Sequence, residues 1–356
     1  MTAAAQTAVP VLPQSRGELS RTVLETLTRP AGTALPEEVR AAAEVADPYG
    51  DDLQLALYLC YELHYRGLVG VDAAWEWEPG LLRLRAEMEC RFLAALRADI
   101  GPPRSSEEAL AGILVEPIDP GADSPSHFLE NQGELWHFRE YAAHRSLYHL
   151  KEADPHVWVI PRLTGRAKAA MAAVEYDEFG AGRAERIHAR LFADLMTDLG
   201  LESAYGRYVD AAAAETLTVV NLMSLFGLHR SLRGALVGHF AAVEITSSPG
   251  SRRLVNGLQR AGAGPAAVHF YAEHVEADAV HEQIVRRDVI GGLLETEPSL
   301  DEDIAFGIDA TAWTETRLGD HLLTAWRDGR TSLTVHPREA PASSAEGPGK
   351  CAARGK

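Results

Sequence analysis

The chain has 356 residues, 46% hydrophobic and 24% charged, enough apolar material for a packed core in one large domain or two smaller ones. Its net charge of −17, from 51 acidic against 34 basic residues, excludes the basic surface that a nucleic-acid partner needs. No apolar run approaches the length of a membrane span, and residues 1–16 lack the basic start and apolar centre of a secretory leader, so the sequence predicts a cytoplasmic protein with no membrane partner.

Residues 1–16, rich in Ala, Thr and Pro, read as a flexible N-terminus. An N-terminal helical region follows over 17–120, with helices predicted at 52–65 and 80–97 from apolar residues at three- and four-residue steps. Cys60 and Cys90 fall in these patterns and read as buried fillers; with Cys351 they form no paired motif, as expected in a reducing compartment. The stretch 105–120 ends in a proline-punctuated loop and marks a soft junction. Over 121–335 the same periodicity predicts helices at 134–151, 165–174, 182–199, 213–226, 231–244, 265–287 and 310–327. Breakers fall at 101–103, 154–155, 180–182, 247–250 and 262–265. The tail 336–356, rich in Pro, Ser, Gly and Ala, reads as disordered. Strand-like alternation is scarce, so the fold class is all-α.

One predicted helix carries HVEADAVH at 274–281. At about 100° per residue, His274, Asp278 and His281 project from one narrow stripe, a partial metal site. Elsewhere Glu152 stands just before a helix-ending proline, and Glu178 precedes His188 by ten residues. Ten residues approach three turns, but Gly180 and Gly182 argue for a bend between them. Three carboxylates and three imidazoles make a mixed oxygen and nitrogen ligand set that suits iron or manganese and has no thiolate to favour structural zinc. Spacing alone also allows a single Fe(II) on two His and one carboxylate, or a ferritin-like site in which Glu185-x-x-His188, Asp278-x-x-His281, Glu152 and Glu244 are the ligands. Glu244, Glu276 and Asp177 are available to orient ligating imidazoles. His144, His149, His156, His229 and His239 read first as structural or surface residues.

The strings KEADPHVWVIPRL (151–163), YDEFGAGRAERIHARLFADLM (176–196), NLMSLFGLHRSLRGALVGHFAAVEITSS (221–248) and FYAEHVEADAVHEQ (270–283) resemble the haem-oxygenase-like diiron oxidases and oxygenases, known as iron-containing redox enzymes. The resemblance implies a haem-oxygenase-like helical bundle over 121–335, behind an N-terminal helical extension. It implies Glu152, Glu178, His188, His274, Asp278 and His281 as ligands of two Fe(II)/Fe(III) ions, with O2 as cosubstrate. Length and the N-terminal extension look most like the members that N-oxygenate an amino group, to hydroxylamine or nitro, in natural-product biosynthesis. Desaturation or oxidative C–C cleavage of an amino or fatty acid is the alternative within the same chemistry; a non-catalytic iron-binding helical protein is the alternative of another class. A small amine or amino acid is the expected substrate, an external electron donor the expected source of reducing equivalents, and a homodimer through apolar N-terminal helices one arrangement the sequence allows. Arg162, Arg186, Arg230 and Phe179 are the candidate substrate-binding residues, the arginines because a guanidinium fork holds a carboxylate well.

Overall fold

A computed structural model describes residues 9–114 and 124–334. The expectations for residues 1–8, for the 115–123 part of the junction, and for the tail with Cys351 lie outside the described residues. Helices α1 (Glu18–Leu27), α2 (Glu38–Val45), α3 (Asp51–Glu62), α4 (Pro79–Ile100) and α5 (Ser106–Leu114) form the N-terminal layer. The remainder comprises α6 (Pro125–Asn131), α7 (Leu135–His149), α8 (Asp154–Val157), α9 (Gly165–Glu178), α10 (His188–Asp198), α11 (Ala214–Leu228), α12 (Arg233–Arg260), α13 (Pro265–Ile284), α14 (Gly291–Thr296) and α15 (Asp301–Arg327). No strand occurs among the described residues.

Local chemistry sets several boundaries. Pro79 opens α4, where its missing N–H costs nothing, and the Glu78 carboxylate accepts from Leu81 N at 2.7 Å. The start of α1 is capped from another helix: Asp52 of α3 accepts from the Leu19 and Ser20 amides at 2.9 and 2.7 Å. Residues 9–16 lie over the bundle, where Arg16 donates to the Val209 and Ala212 carbonyls at 2.6 and 2.7 Å.

One hydrophobic core runs from Leu19 to Leu333, so the N-terminal layer and the helices after it share an interior. Helix α11 and the first half of α12, as far as Ile245, are buried nearly all round and form its centre. The backbones of α12 and α15 meet at glycines: a Cβ on Gly238 would overlap the Ile304 carbonyl, and one on Gly307 the Ala235 carbonyl. Three sequence expectations change. The break at 247–250 does not occur; α12 runs through Pro249, held against its neighbours by contacts such as Ser248 Oγ donating to Val275 O at 3.2 Å. The helix expected from residue 182 begins only at His188, after two 3₁₀ turns. Cys90 is exposed on α4, while Cys60 is buried as expected.

Candidate metal centre

Four helices and one turn deliver the candidate ligands. Glu152 sits in the turn between α7 and α8; Glu178 is the last residue of α9 and His188 the first of α10. Glu244 lies in α12, and His274 and His281 lie in α13. These six are buried, none more than 6% exposed. The side chain of Asp278 lies outside the described residues, although its backbone belongs to α13.

Glu178 and His188 do not share one helical face. The chain reverses between them through Gly180 at φ 76° and Gly182 at φ 80°, the left-handed region that glycine enters without strain. A Cβ on Gly180 would also lie 2.7 Å from the Ile187 amide nitrogen. This tight reversal brings Glu178 Oε2 to 2.6 Å from His188 Nδ1.

Two groups of ligand atoms result. Glu152, Glu178, His188 and His274 have one ligand atom each within a common 4.8 Å span, and so do Glu178, Glu244 and His281. Glu178 belongs to both. In the second group His281 Nδ1 is 3.1 Å from Glu244 Oε2 and 3.6 Å from Glu178 Oε1. In the first, His274 donates from Nδ1 to the Phe270 carbonyl at 2.8 Å, which fixes its tautomer and turns Nε2 toward Glu152 Oε2, 4.0 Å away.

The electrostatics are those of acid groups crowded in an apolar interior. Burial, then the neighbouring Glu152 charge, pushes Glu178 up to about 8; burial pushes Glu244 up to about 7 although His281 opposes it. For Glu152 burial also acts upward, but His149, whose Nδ1 is 3.0 Å from Oε1, together with His274 and His188, outweighs it and carries the carboxyl down to about 2. Glu175, one turn before Glu178, is held well above the ordinary carboxylate range by burial and by Glu178 and Glu244. Glu152 Oε2 is buried without a hydrogen-bond partner, a costly state unless a cation lies near it, while His188 Nδ1 meets the Glu178 carboxylate. The donor set and this orphaned oxygen therefore fit iron, and Glu178 is common to both groups.

Sequence reasoning gave Glu244 as an orienting carboxylate or, in the ferritin-like arrangement, a ligand, and it stands in the second group of candidate ligand atoms. Asp177 does meet His281, at 3.5 Å from Nε2. His149, grouped with the structural histidines, contacts Glu152 directly, whereas His144 and His239 bond Thr216 and Thr311 at 2.6 and 2.8 Å. Glu185, which the ferritin-like arrangement requires, is exposed and joins neither group. A small cavity of about 40 Å³ adjoins the ligands, lined by Glu152, Glu178, Glu244 and His274 and by His149 and Phe240 among others. The four candidate substrate-binding residues are not on its lining. Arg162 caps the end of α11 through the Gly227 and Leu228 carbonyls, Arg186 pairs with Glu273 at 3.6 Å, Arg230 is exposed, and Phe179 is half-buried at the end of α9. A larger open groove of about 760 Å³ lies away from the ligands, between α2 and α4.

Among known proteins, the chain is similar to the nitrosourea synthase of Streptomyces achromogenes subsp. streptozoticus, with 26% identity over 146 residues. That match covers 41% of this chain and only 31% of the relative. A family model described as "Iron-containing redox enzyme" matches residues 139–316, half of the chain and the part that carries every ligand named above. With its all-α bundle and its buried Glu and His groups, the chain belongs to the iron-containing redox enzyme family.

Proposed function

We propose that the protein is a non-haem diiron oxygenase that N-oxygenates the amino group of a small amine or amino acid in a biosynthetic pathway. The observation that carries the reading is Glu178, a single buried carboxylate common to two groups of ligand atoms. Glu152, His188 and His274 would hold one iron, Glu244 and His281 the other, and Glu178 both. When bound, the iron pair supplies the capacity to reduce O2 and oxidise substrate. The protein's own residues do the remainder. His274 is locked by the Phe270 carbonyl, and Glu244 fixes the His281 ring. Phe192, Phe270 and Phe240 dry the surroundings, which strengthens each charge interaction inside. Glu178 and Glu244 hold protons near neutrality when no cation is present and release them to one.

Nitrogen as the atom oxidised is supported by the partial similarity to an enzyme whose name gives a nitrosourea as product. Reducing equivalents would come from an external donor or from the substrate itself. The test has two arms. Anaerobic Fe(II) titration should find two ions in the native chain, one in Glu152→Ala and neither firmly held in Glu178→Ala. Mass spectrometry after incubation of an amine and amino-acid panel with labelled O2 should find label on nitrogen. Loss of two hydrogens or a shortened carbon skeleton would point instead to desaturation or C–C cleavage. Ferric iron accumulating at a rate indifferent to every substrate would mark a non-catalytic iron-binding protein.

A further inference from the structure

Glu152 differs from the other described ligands: it lies outside any helix, in the turn between α7 and α8. Its own amide reaches the His149 carbonyl only at 3.5 Å, a weak bond. Its neighbours are held from elsewhere. The Leu150 carbonyl accepts from Arg66 Nη2 at 2.8 Å, and Arg66 stacks over the Tyr205 ring at 4.1 Å. Lys151 is 1% exposed, with its ammonium 3.4 Å from Glu62 Oε2, at the last residue of α3. The same Glu62 oxygen accepts from the Tyr205 hydroxyl at 2.6 Å, and the Lys151 ammonium also lies 4.1 Å from the centre of the Tyr65 ring. Taking a lysine and a glutamate out of water together is expensive, and apolar residues of similar size would fill the space at least as well. What a bonded pair adds is direction: the ammonium can sit only where Glu62 and the Tyr65 face put it.

We infer that Lys151, Glu62, Tyr205 and Arg66 form a positioning device by which the N-terminal layer, through the end of α3, holds Glu152 at its cation. The inference rests on Glu152 being an iron ligand. It assigns the N-terminal layer a part in the metal centre, although its helices α1 to α5 contribute none of the described ligands. These four are positioning residues, acting through residues 150 and 151 of the backbone and not touching the ion.

The test uses the full chain and anaerobic Fe(II) titration, with Mössbauer spectra to resolve the two ions. Glu62→Gln with Lys151→Met removes both charges together, so that neither is left buried alone. Tyr205→Phe removes one hydrogen bond and no charge, and covers the case in which the double variant does not fold. The double variant should melt near the native temperature yet bind one of the two ions about 10- to 100-fold more weakly, the range for losing an orienting partner of a ligand. Tyr205→Phe should move the same ion in the same direction by a smaller factor, and the ion on the His281 side should be retained in both. Native binding of both ions by folded Tyr205→Phe and by the double variant, while Glu152→Ala loses one, overturns the positioning device and leaves the metal centre standing. Native binding of both ions by Glu152→Ala overturns the ligand assignment itself, and the device with it.

Discussion

Glu178 and Glu244 sit at about 8 and about 7 in the iron-free protein, raised by burial. Iron needs their ionised forms, so each binding event releases protons below these values. Fe(II) affinity is therefore expected to climb steeply from about pH 6 to about pH 8 and to level off above, which anaerobic titration across that window will read. The sign for stability is opposite. An acid whose folded value exceeds its unfolded one is more protonated in the native state between the two, so iron-free protein loses stability as pH rises from the unfolded value of about 4.5 toward about 8. Glu152 works the other way: lowered to about 2, its contribution is present above about 4.5 and is lost as pH falls toward 2. Denaturant titrations of iron-free protein at mildly acidic and mildly alkaline pH measure the balance. The spacing within 274–281, the carboxylates and histidine picked out on other segments, and the family resemblance together made five of the six converging buried residues legible from sequence. Glu244 was legible only as an orienting carboxylate or as a ligand of the ferritin-like alternative, because 37 residues separate it from His281 and only the packing of α12 on α13 joins them. Nor does sequence separate an arginine that grips substrate from one, like Arg162, that closes the end of a helix.

At the scale of elements, the reversal between α9 and α10 decides whether Glu178 and His188 meet. Gly180→Ala would introduce a Cβ at a positive φ and against the Ile187 amide. The expected cost is about 1–3 kcal/mol of stability, together with weaker iron binding, as the two ligands are levered apart. Thermal melting and iron counting on one sample report both. Breaker residues were legible here, since Gly180 and Gly182 predicted the bend. They misled at Pro249, where flanking helices hold α12 straight through a residue that removes a main-chain donor and crowds the preceding turn. Neighbouring segments, not local propensity, decide such a case. The π-helical stretch Val285–Ile290, directly after α13, was invisible to periodicity for the same reason.

For the molecule as a whole, the crossing of α12 and α15 at Gly238 and Gly307 sets how closely the centre packs. Gly238→Ala and Gly307→Ala are each expected to destabilise by about 1–3 kcal/mol, the usual cost of overfilling a core, and differential scanning calorimetry of the two variants checks it. The double variant should lose less than the sum, because the first substitution already spreads the helices that the second would push apart. The all-α class was legible from composition and periodicity, but this crossing was not, since a helical glycine reads from sequence only as a weak point.

The chamber beside the ligands, about 40 Å³, has room for a few water molecules. A diatomic gas fits so small a space; an amino acid requires the helices around it to part. Bulky amines should accordingly turn over at a pace set by breathing of the bundle, slowing in viscous solvent and steepening with temperature. A small gas would meet no such barrier, so the size of the chamber ranks candidate reactants by how far the surrounding helices must yield.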